Sequence, residues 1–217
     1  MTPFLELEQV SFAWPQGREV LKGIDLTLSQ EDTVALMGSN GSGKTTLGKV
    51  IMGILQPTAG EVRLAGRPIT EYPLAQRGKR IGYVFQNPER QLFAATVADE
   101  IGFALKYRGL DPGEVQERVD EMLDLMELGQ YAETFPFNLS HGEKQRLALA
   151  AVMALEPEFI ILDEPSTGLD WVRKRRLAAM LDRIRQRKVG YIVVSHDHGF
   201  SRRLCSSALT LKGGRLT

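Results

Sequence analysis

Apolar and polar residues alternate from Phe4 to Phe12 (FLELEQVSF), the pattern of a half-exposed strand, and Ile24–Leu28 (IDLTL) repeats it. Thr33–Met37 (TVALM) reads as a short buried strand that runs into a glycine-rich loop. Apolar spacing from Lys44 to Gly53 predicts a helix, stopped by that glycine and then by Pro57. Gly60–Gly66 and Arg80–Gln86 predict two more strands, bounded by glycine and proline.

The period then changes. From about Thr96 to Leu155 the pattern is helical, with no strand signal. Val115, Val119, Met122, Leu123 and Met126 fall on one face of an amphipathic helix. These residues predict the packing of a helical lobe. Leu147–Leu155 (LALAAVMAL) is too short for the roughly 20 residues that span a bilayer and reads as a buried helix. Buried strands return at Phe159–Asp163 and Tyr191–Ser195, with a helix predicted over Trp171–Lys188 between them. Its stripe is Leu177, Met180, Leu181 and Ile184. Strand–helix–strand units on both sides of a helical insertion predict a parallel α/β sheet carrying an inserted helical lobe.

At 217 residues the chain suits one domain with a subdomain. Its 27 basic and 27 acidic residues cancel, so no global charge favours nucleic acid. The basic stretch Trp171–Lys188 reads as a solvated helix face, because no aromatic interleaving accompanies it. A single cysteine, Cys205, excludes an internal disulfide and fits a reducing compartment. The acidic N-terminal stretch MTPFLELEQ is not an export signal.

The loop carries the first chemistry. Gly38, Gly43, Lys44 and Thr45 satisfy G-x-x-x-x-G-K-[ST] between a strand and a helix. Backbone N–H groups of Ser39, Asn40, Gly41, Ser42, Gly43 and Thr46 can cradle phosphates, and the helix adds its positive end. Lys44 supplies a charge to the β/γ-phosphates, and the Thr45 hydroxyl can ligate Mg²⁺. A nucleoside triphosphate with magnesium is the expected ligand. Asp163 and Glu164 end a buried strand, where Asp163 suits a magnesium site and Glu164 a general base. His196 closes the next buried strand, within expected reach of a γ-phosphate.

Such loops serve kinases, GTPases and transport ATPases alike, so function rests on Asn138–Ala150 (NLSHGEKQRLALA). Ser140 and Gly142 open a helix there, a second anion-binding N-terminus with no second phosphate in the same chain. A symmetric or pseudo-symmetric pair, each chain serving its partner's nucleotide, is the economical solution.

In these residues the sequence resembles the ATP-binding-cassette ATPases over essentially its whole length. Trp14 is similar to the family's adenine-stacking aromatic residue, Gly38–Thr46 to its Walker A loop and Gln86 to its Q-loop glutamine. Leu139–Glu143 are similar to the LSGGQ signature, Asp163 and Glu164 to the Walker B pair, Ser166–Asp170 to the D-loop and His196 to the switch histidine. The resemblance implies an α/β P-loop NTPase fold with a parallel core sheet, an N-terminal antiparallel β subdomain and an inserted α-helical subdomain. It implies one nucleotide-binding domain over 1–217, with the core at 1–86 and 158–217 and the helical signature lobe at 87–157.

It also implies ATP hydrolysis in a dimer. Glu164, His196, Gln86 and Lys44 would be catalytic, and Thr45, Gln86 and Asp163 would hold Mg²⁺. Trp14, the loop, and Ser140, Gly142 and Asp170 would contact nucleotide. Gln86–Leu105 (QNPERQLFAATVADEIGFAL) is similar to the energy-coupling-factor ATPases, which drive uptake of cobalt, nickel and vitamins. That implies separate transmembrane subunits, a place on the cytoplasmic face of the membrane and no nucleic-acid partner. Another importer or exporter ATPase is the alternative, followed by a soluble cassette acting on ribosomes or DNA. A generic kinase or GTPase would leave LSHGE unexplained.

Three departures qualify the resemblance. His141 replaces the first glycine of the signature pair, which predicts that the site it completes is the slower one of a mixed dimer. Trp171 stands where the family often has proline. The sequence given stops with Lys212–Thr217 (KGGRLT), where many energy-coupling-factor ATPases carry a C-terminal extension that helps hold the pair together, which predicts a dimer strongly dependent on ATP.

Overall fold

The computed structural model describes residues 3–15, 17 and 19–217. Met1 and Thr2, the first residues of the stretch read as no export signal, lie outside that description, as do Gln16 and Arg18. Two sheets share the chain. Strands β1 (Leu5–Ala13), β2 (Glu19–Leu28), β4 (Ala59–Leu64) and β5 (Arg67–Pro68) form an antiparallel sheet in the order β2-β1-β4-β5. The second sheet has the order β10-β9-β3-β8-β7-β6. It consists of β3 (Thr33–Met37), β6 (Ile81–Val84), β7 (Phe159–Asp163), β8 (Gly190–Ser195), β9 (Ser207–Lys212) and β10 (Arg215–Leu216). All its pairings are parallel except the terminal β9–β10 hairpin.

The β6, β3, β7 and β8 runs are unbroken because both faces of the sheet are covered. Ile160, Leu162, Tyr191 and Val193 enter one buried cluster; Phe159, Ile161, Ile192 and Val194 enter the other. The period-two alternation therefore divides two cores rather than a core from solvent. The second cluster joins the antiparallel sheet to helix α1 (Lys44–Ile51) through Leu47, Val50 and Ile51. The first contains α3 (Val97–Tyr107), α4 (Pro112–Leu125), α5 (His141–Met153) and α6 (Trp171–Gln186). The predicted stripe of α4 and the LALAAVMAL segment are buried there.

Register brings the candidate site residues together. Val194 of β8 pairs with both Leu36 of β3 and Asp163 of β7, so these strands end side by side. Gly38, Glu164 and His196 follow within one or two residues and emerge at one sheet edge. Differences from expectation lie at element ends and in short pieces. β2 begins at Glu19, earlier than IDLTL, and β6 stops at Val84, leaving Phe85 and Gln86 in the following loop. Helices α2 (Leu74–Arg80) and α7 (His198–Leu204) and the β9–β10 hairpin add elements that no strong apolar period announces. Among the described residues no helix is long and apolar enough to cross a membrane.

Candidate functional site

The loop before α1 is shaped by glycine. Gly43, the residue preceding the helix, has φ +105°, a left-handed conformation. A Cβ there would stand 2.8 Å from Val20 Cγ1. The Lys44 ammonium is buried and donates to the carbonyls of Gly38 (2.9 Å) and Ser39 (3.2 Å). It also lies 3.8 Å from Glu164 Oε1. The loop closes on itself through Ser42 N–H to the Ser39 carbonyl at 3.1 Å.

Asp163 is held from two sides. Thr45 Oγ1 donates to Oδ1 at 3.1 Å, and the Tyr83 phenol donates to Oδ2 at 3.0 Å. Burial pushes the Asp163 carboxyl above its ordinary range despite these donors, with the neighbouring Glu164 charge adding to the rise. Burial, together with the Asp163 charge, also raises the Tyr83 phenol far up, so it stays a donor. No group of three or more His, Cys, Asp or Glu that could hold a metal occurs among the described residues. The oxygen pair of Thr45 and Asp163 nevertheless fits magnesium, a hard cation that takes one or two protein oxygens and completes its shell from phosphates and water.

Glu164 follows the strand in a left-handed conformation, φ 50°, with its N–H bonded to the Val194 carbonyl at 2.8 Å. For a residue with a side chain this conformation is costly, about 1–2 kcal/mol. Such strain concentrates at functional sites. It turns the buried carboxylate into the cleft. There Glu164 Oε2 meets His196 Nδ1 at 2.7 Å and lies 3.5 Å from the Thr167 hydroxyl. With its proton on Nδ1, the imidazole donates to the carboxylate.

The structure brings most predicted residues into one cleft of about 650 Å³. Trp14, Asn40, Gly41, Gly43, Lys44, Thr45, Thr46, Gln86, Glu164 and His196 all line it. Trp14 is half-exposed, with its ring edge-on to Phe12 at 5.0 Å. Ser39 and Ser42 shape the loop rather than the cleft wall. Tyr83 and Thr167 were not singled out by sequence; Thr167 stood inside the D-loop segment, but the role of Tyr83 depends on register across strands.

Ser140, Gly142 and Asp170 are not in that cleft. Ser140 precedes α5, where its N–H donates to Glu143 Oε2 at 2.8 Å in a capping box. Ser140 and Gly142 line a separate hollow with Leu169, Arg173 and Arg176. Asp170 caps α6, accepting from Arg173 N–H at 2.8 Å. The His141 imidazole reaches toward the neighbouring loop of its own chain, with Nε2 3.3 Å from the Thr167 carbonyl.

The segment between Gln86 and α3 is tied by hydrogen bonds to the strand before it and the helix after it. The Gln91 amide accepts from Phe85 N–H (2.8 Å) and donates to the Tyr83 carbonyl (3.0 Å). Buried Glu100 accepts from the N–H groups of Phe93 and Ala94, both at 2.7 Å. This leaves Phe93 and Phe103 exposed and edge-on to each other at 4.6 Å.

Compared with known proteins, the family described as ABC transporter matches residues 21–167. A provisionally named ABC transporter ATP-binding protein of Streptomyces avermitilis is 39% identical over 212 residues, covering 98% of this chain and 80% of the relative. A similarly named protein of Pyrococcus horikoshii is 39% identical, covering 98% and 81%. Among solved structures, cbiO1 of Clostridium perfringens, described as part of the ABC transporter complex cbiONQ, superimposes with a TM-score of 0.92. It is 30% identical, with all of this chain and 88% of that one covered. The ATP-binding cassette MJ0796, a dimer in a post-hydrolysis state with ADP and phosphate, gives 0.87 at 28% identity, covering 98% and 96%.

Proposed function

The chain belongs to the ABC transporter family of ATP-binding, ATP-hydrolysing subunits, and from that premise we propose that it energises an importer of the energy-coupling-factor type. Its cargo would be a metal ion or a vitamin. The observation that carries the mechanism is the separation of Ser140 and Gly142 from the cleft that holds Glu164. A phosphate-binding helix start serving no phosphate of its own chain fits a dimer in which each chain completes the other's site.

In this reading Lys44 and the loop N–H groups hold the triphosphate of one site, and Trp14 stacks on its base. Thr45 and Asp163 would hold magnesium, with Gln86 beside them in the cleft, and a bound ion would supply charge neutralisation to the triphosphate. Glu164 accepts the proton of the attacking water, and His196 fixes the carboxylate's orientation, as its 2.7 Å contact supports. Ser140 and Gly142 of the other chain close over the γ-phosphate, and Asp170 lies at the dimer face. Residues 1–86 and 158–217 act as the ATPase core and 87–157 as the lobe that carries the partner-facing turn.

Two features support the importer type. The cbiO1 neighbour belongs to a transporter complex. The braced segment after Gln86 presents Phe93 and Phe103 to the outside, a suitable apolar contact for a separate transmembrane subunit. The chain would then sit peripherally on the cytoplasmic face of the membrane. Purification from detergent-solubilised membranes tests this: an integral membrane protein should accompany the chain stoichiometrically, and the ATPase of that complex should vanish with Lys44→Ala. Recovery with ribosomes or DNA instead would overturn the transport reading.

A further inference from the structure

The turn at Ser140–Gly142 and the loop after Glu164 are fastened together within one chain. His141 Nε2 lies 3.3 Å from the Thr167 carbonyl. A Cβ on Gly168 would rest 3.7 Å from the His141 ring atoms, so the imidazole lies along that loop's backbone. On the next residue, a Cβ at Gly142 would meet Arg173 Cδ at 3.2 Å and Leu169 Cδ2 at 3.6 Å. Thr167 in turn reaches Glu164 Oε2 with its hydroxyl at 3.5 Å, and the same oxygen meets His196 Nδ1 at 2.7 Å. A continuous set of contacts therefore runs from the signature turn to the carboxylate of the chain's own cleft.

We propose that His141 is a positioning residue that couples the two sites of the dimer, its imidazole tying Thr167, and through it Glu164, to the turn that contacts the partner's nucleotide. The proposal rests on the two-chain reading above. A glycine at this position has no side chain with which to make the contact. When the turn closes on a γ-phosphate in one site, the tether carries that displacement to the Thr167 carbonyl and to the carboxylate in the other. The imidazole thus acts on hydrolysis rather than on ATP capture by its own chain's cleft, because Lys44, bonded to the Gly38 and Ser39 carbonyls, and the glycine loop stand apart from it.

ATP hydrolysis by the full chain, in its assembled complex, tests this with His141→Gly and His141→Gln across a range of ATP concentrations. Glutamine carries its side-chain N–H the same number of bonds from Cβ as Nε2 and can reach the same carbonyl. The expected result for His141→Gly is a kcat lowered about 5- to 20-fold with KM changed less than about twofold, and a hyperbolic ATP dependence where the coupling predicts a sigmoidal one for the unsubstituted complex. His141→Gln should recover most of the loss, a rescue that a merely packed side chain would not show. An unchanged kcat in His141→Gly overturns the inference. A raised kcat also overturns it and restores the view that the side chain obstructs the turn. Glutamine no better than glycine overturns it as well. Each variant is also combined with Glu164→Gln and assayed for ATP-dependent dimerisation by light scattering. If none dimerises, the two-chain reading fails and takes the proposal with it; if all dimerise, the kinetic arms judge His141 alone.

Discussion

The Tyr83 phenol donates to Asp163 Oδ2 across 3.0 Å, from a strand directly beside that of its acceptor. Tyr83 pairs in register with Ile161, two residues before Asp163, so both side chains stand on the same face. Removing the hydroxyl leaves a buried carboxylate oxygen without its donor. Tyr83→Phe should lower stability by about 1–3 kcal/mol. It should also weaken magnesium-dependent nucleotide binding. Thermal unfolding and a magnesium titration check this; unchanged values in both would show that the phenol is idle.

Asp163 also gives the site a pH dependence of definite sign. Burial, foremost, raises its carboxyl above the ordinary 3.8. Because the fold favours the protonated form, the contribution of Asp163 to folding stability is present below about pH 3.8 and is lost as pH rises through the raised value. Cation binding has the opposite need, an ionised carboxylate. Magnesium-dependent nucleotide binding should therefore weaken on acidification at a higher pH than an exposed aspartate would cause. Asp163→Asn should bind more weakly throughout and lose that step. A step of the same size in the Asn variant would assign it elsewhere.

Two glycines of the phosphate loop separate conformation from crowding. Gly41 has φ +77° and open space for 4 Å around the point a Cβ would occupy, whereas Gly43 has φ +105° and Val20 Cγ1 at 2.8 Å. Gly41→Ala should cost about 1–2 kcal/mol of left-handed strain. Gly43→Ala should cost more and reduce ATP affinity by about tenfold or more, since the Cβ displaces the start of α1. Paired melting curves and nucleotide titrations check the order; equal effects would contradict it.

Much of the core and the site was legible because their signals are local. TVALM, FIILD and YIVVS are buried on both faces and form inner strands, and residues that follow them, Glu164 and His196 among them, line the cleft. The stripe of α4 was equally plain. Helix α2 was not, because LAQRGKR buries no side chain and has no stripe to read. Gly213-Gly214 marks the β9–β10 turn, a two-residue hairpin signal whose second strand, Arg215–Leu216, is too short to show an alternation. Tyr83 was hidden for a different reason: only the alignment of β6 with β7 brings it to Asp163. Asp170 shows the converse, since a motif position assigned to nucleotide also has a local duty, capping α6.

Light scattering of Glu164→Gln with and without MgATP tests the composite site most directly. That substitution removes the carboxylate that would accept the water's proton and leaves in place Lys44, proposed to hold the triphosphate, and Thr45 and Asp163, proposed to hold its magnesium. Nucleotide should then accumulate between two chains, doubling the particle mass, with one chain per particle when ATP is withheld. A second substitution at Ser140 to a bulky residue should abolish the doubling. A variant that stays single at saturating MgATP, or that pairs equally well without it, would contradict the account.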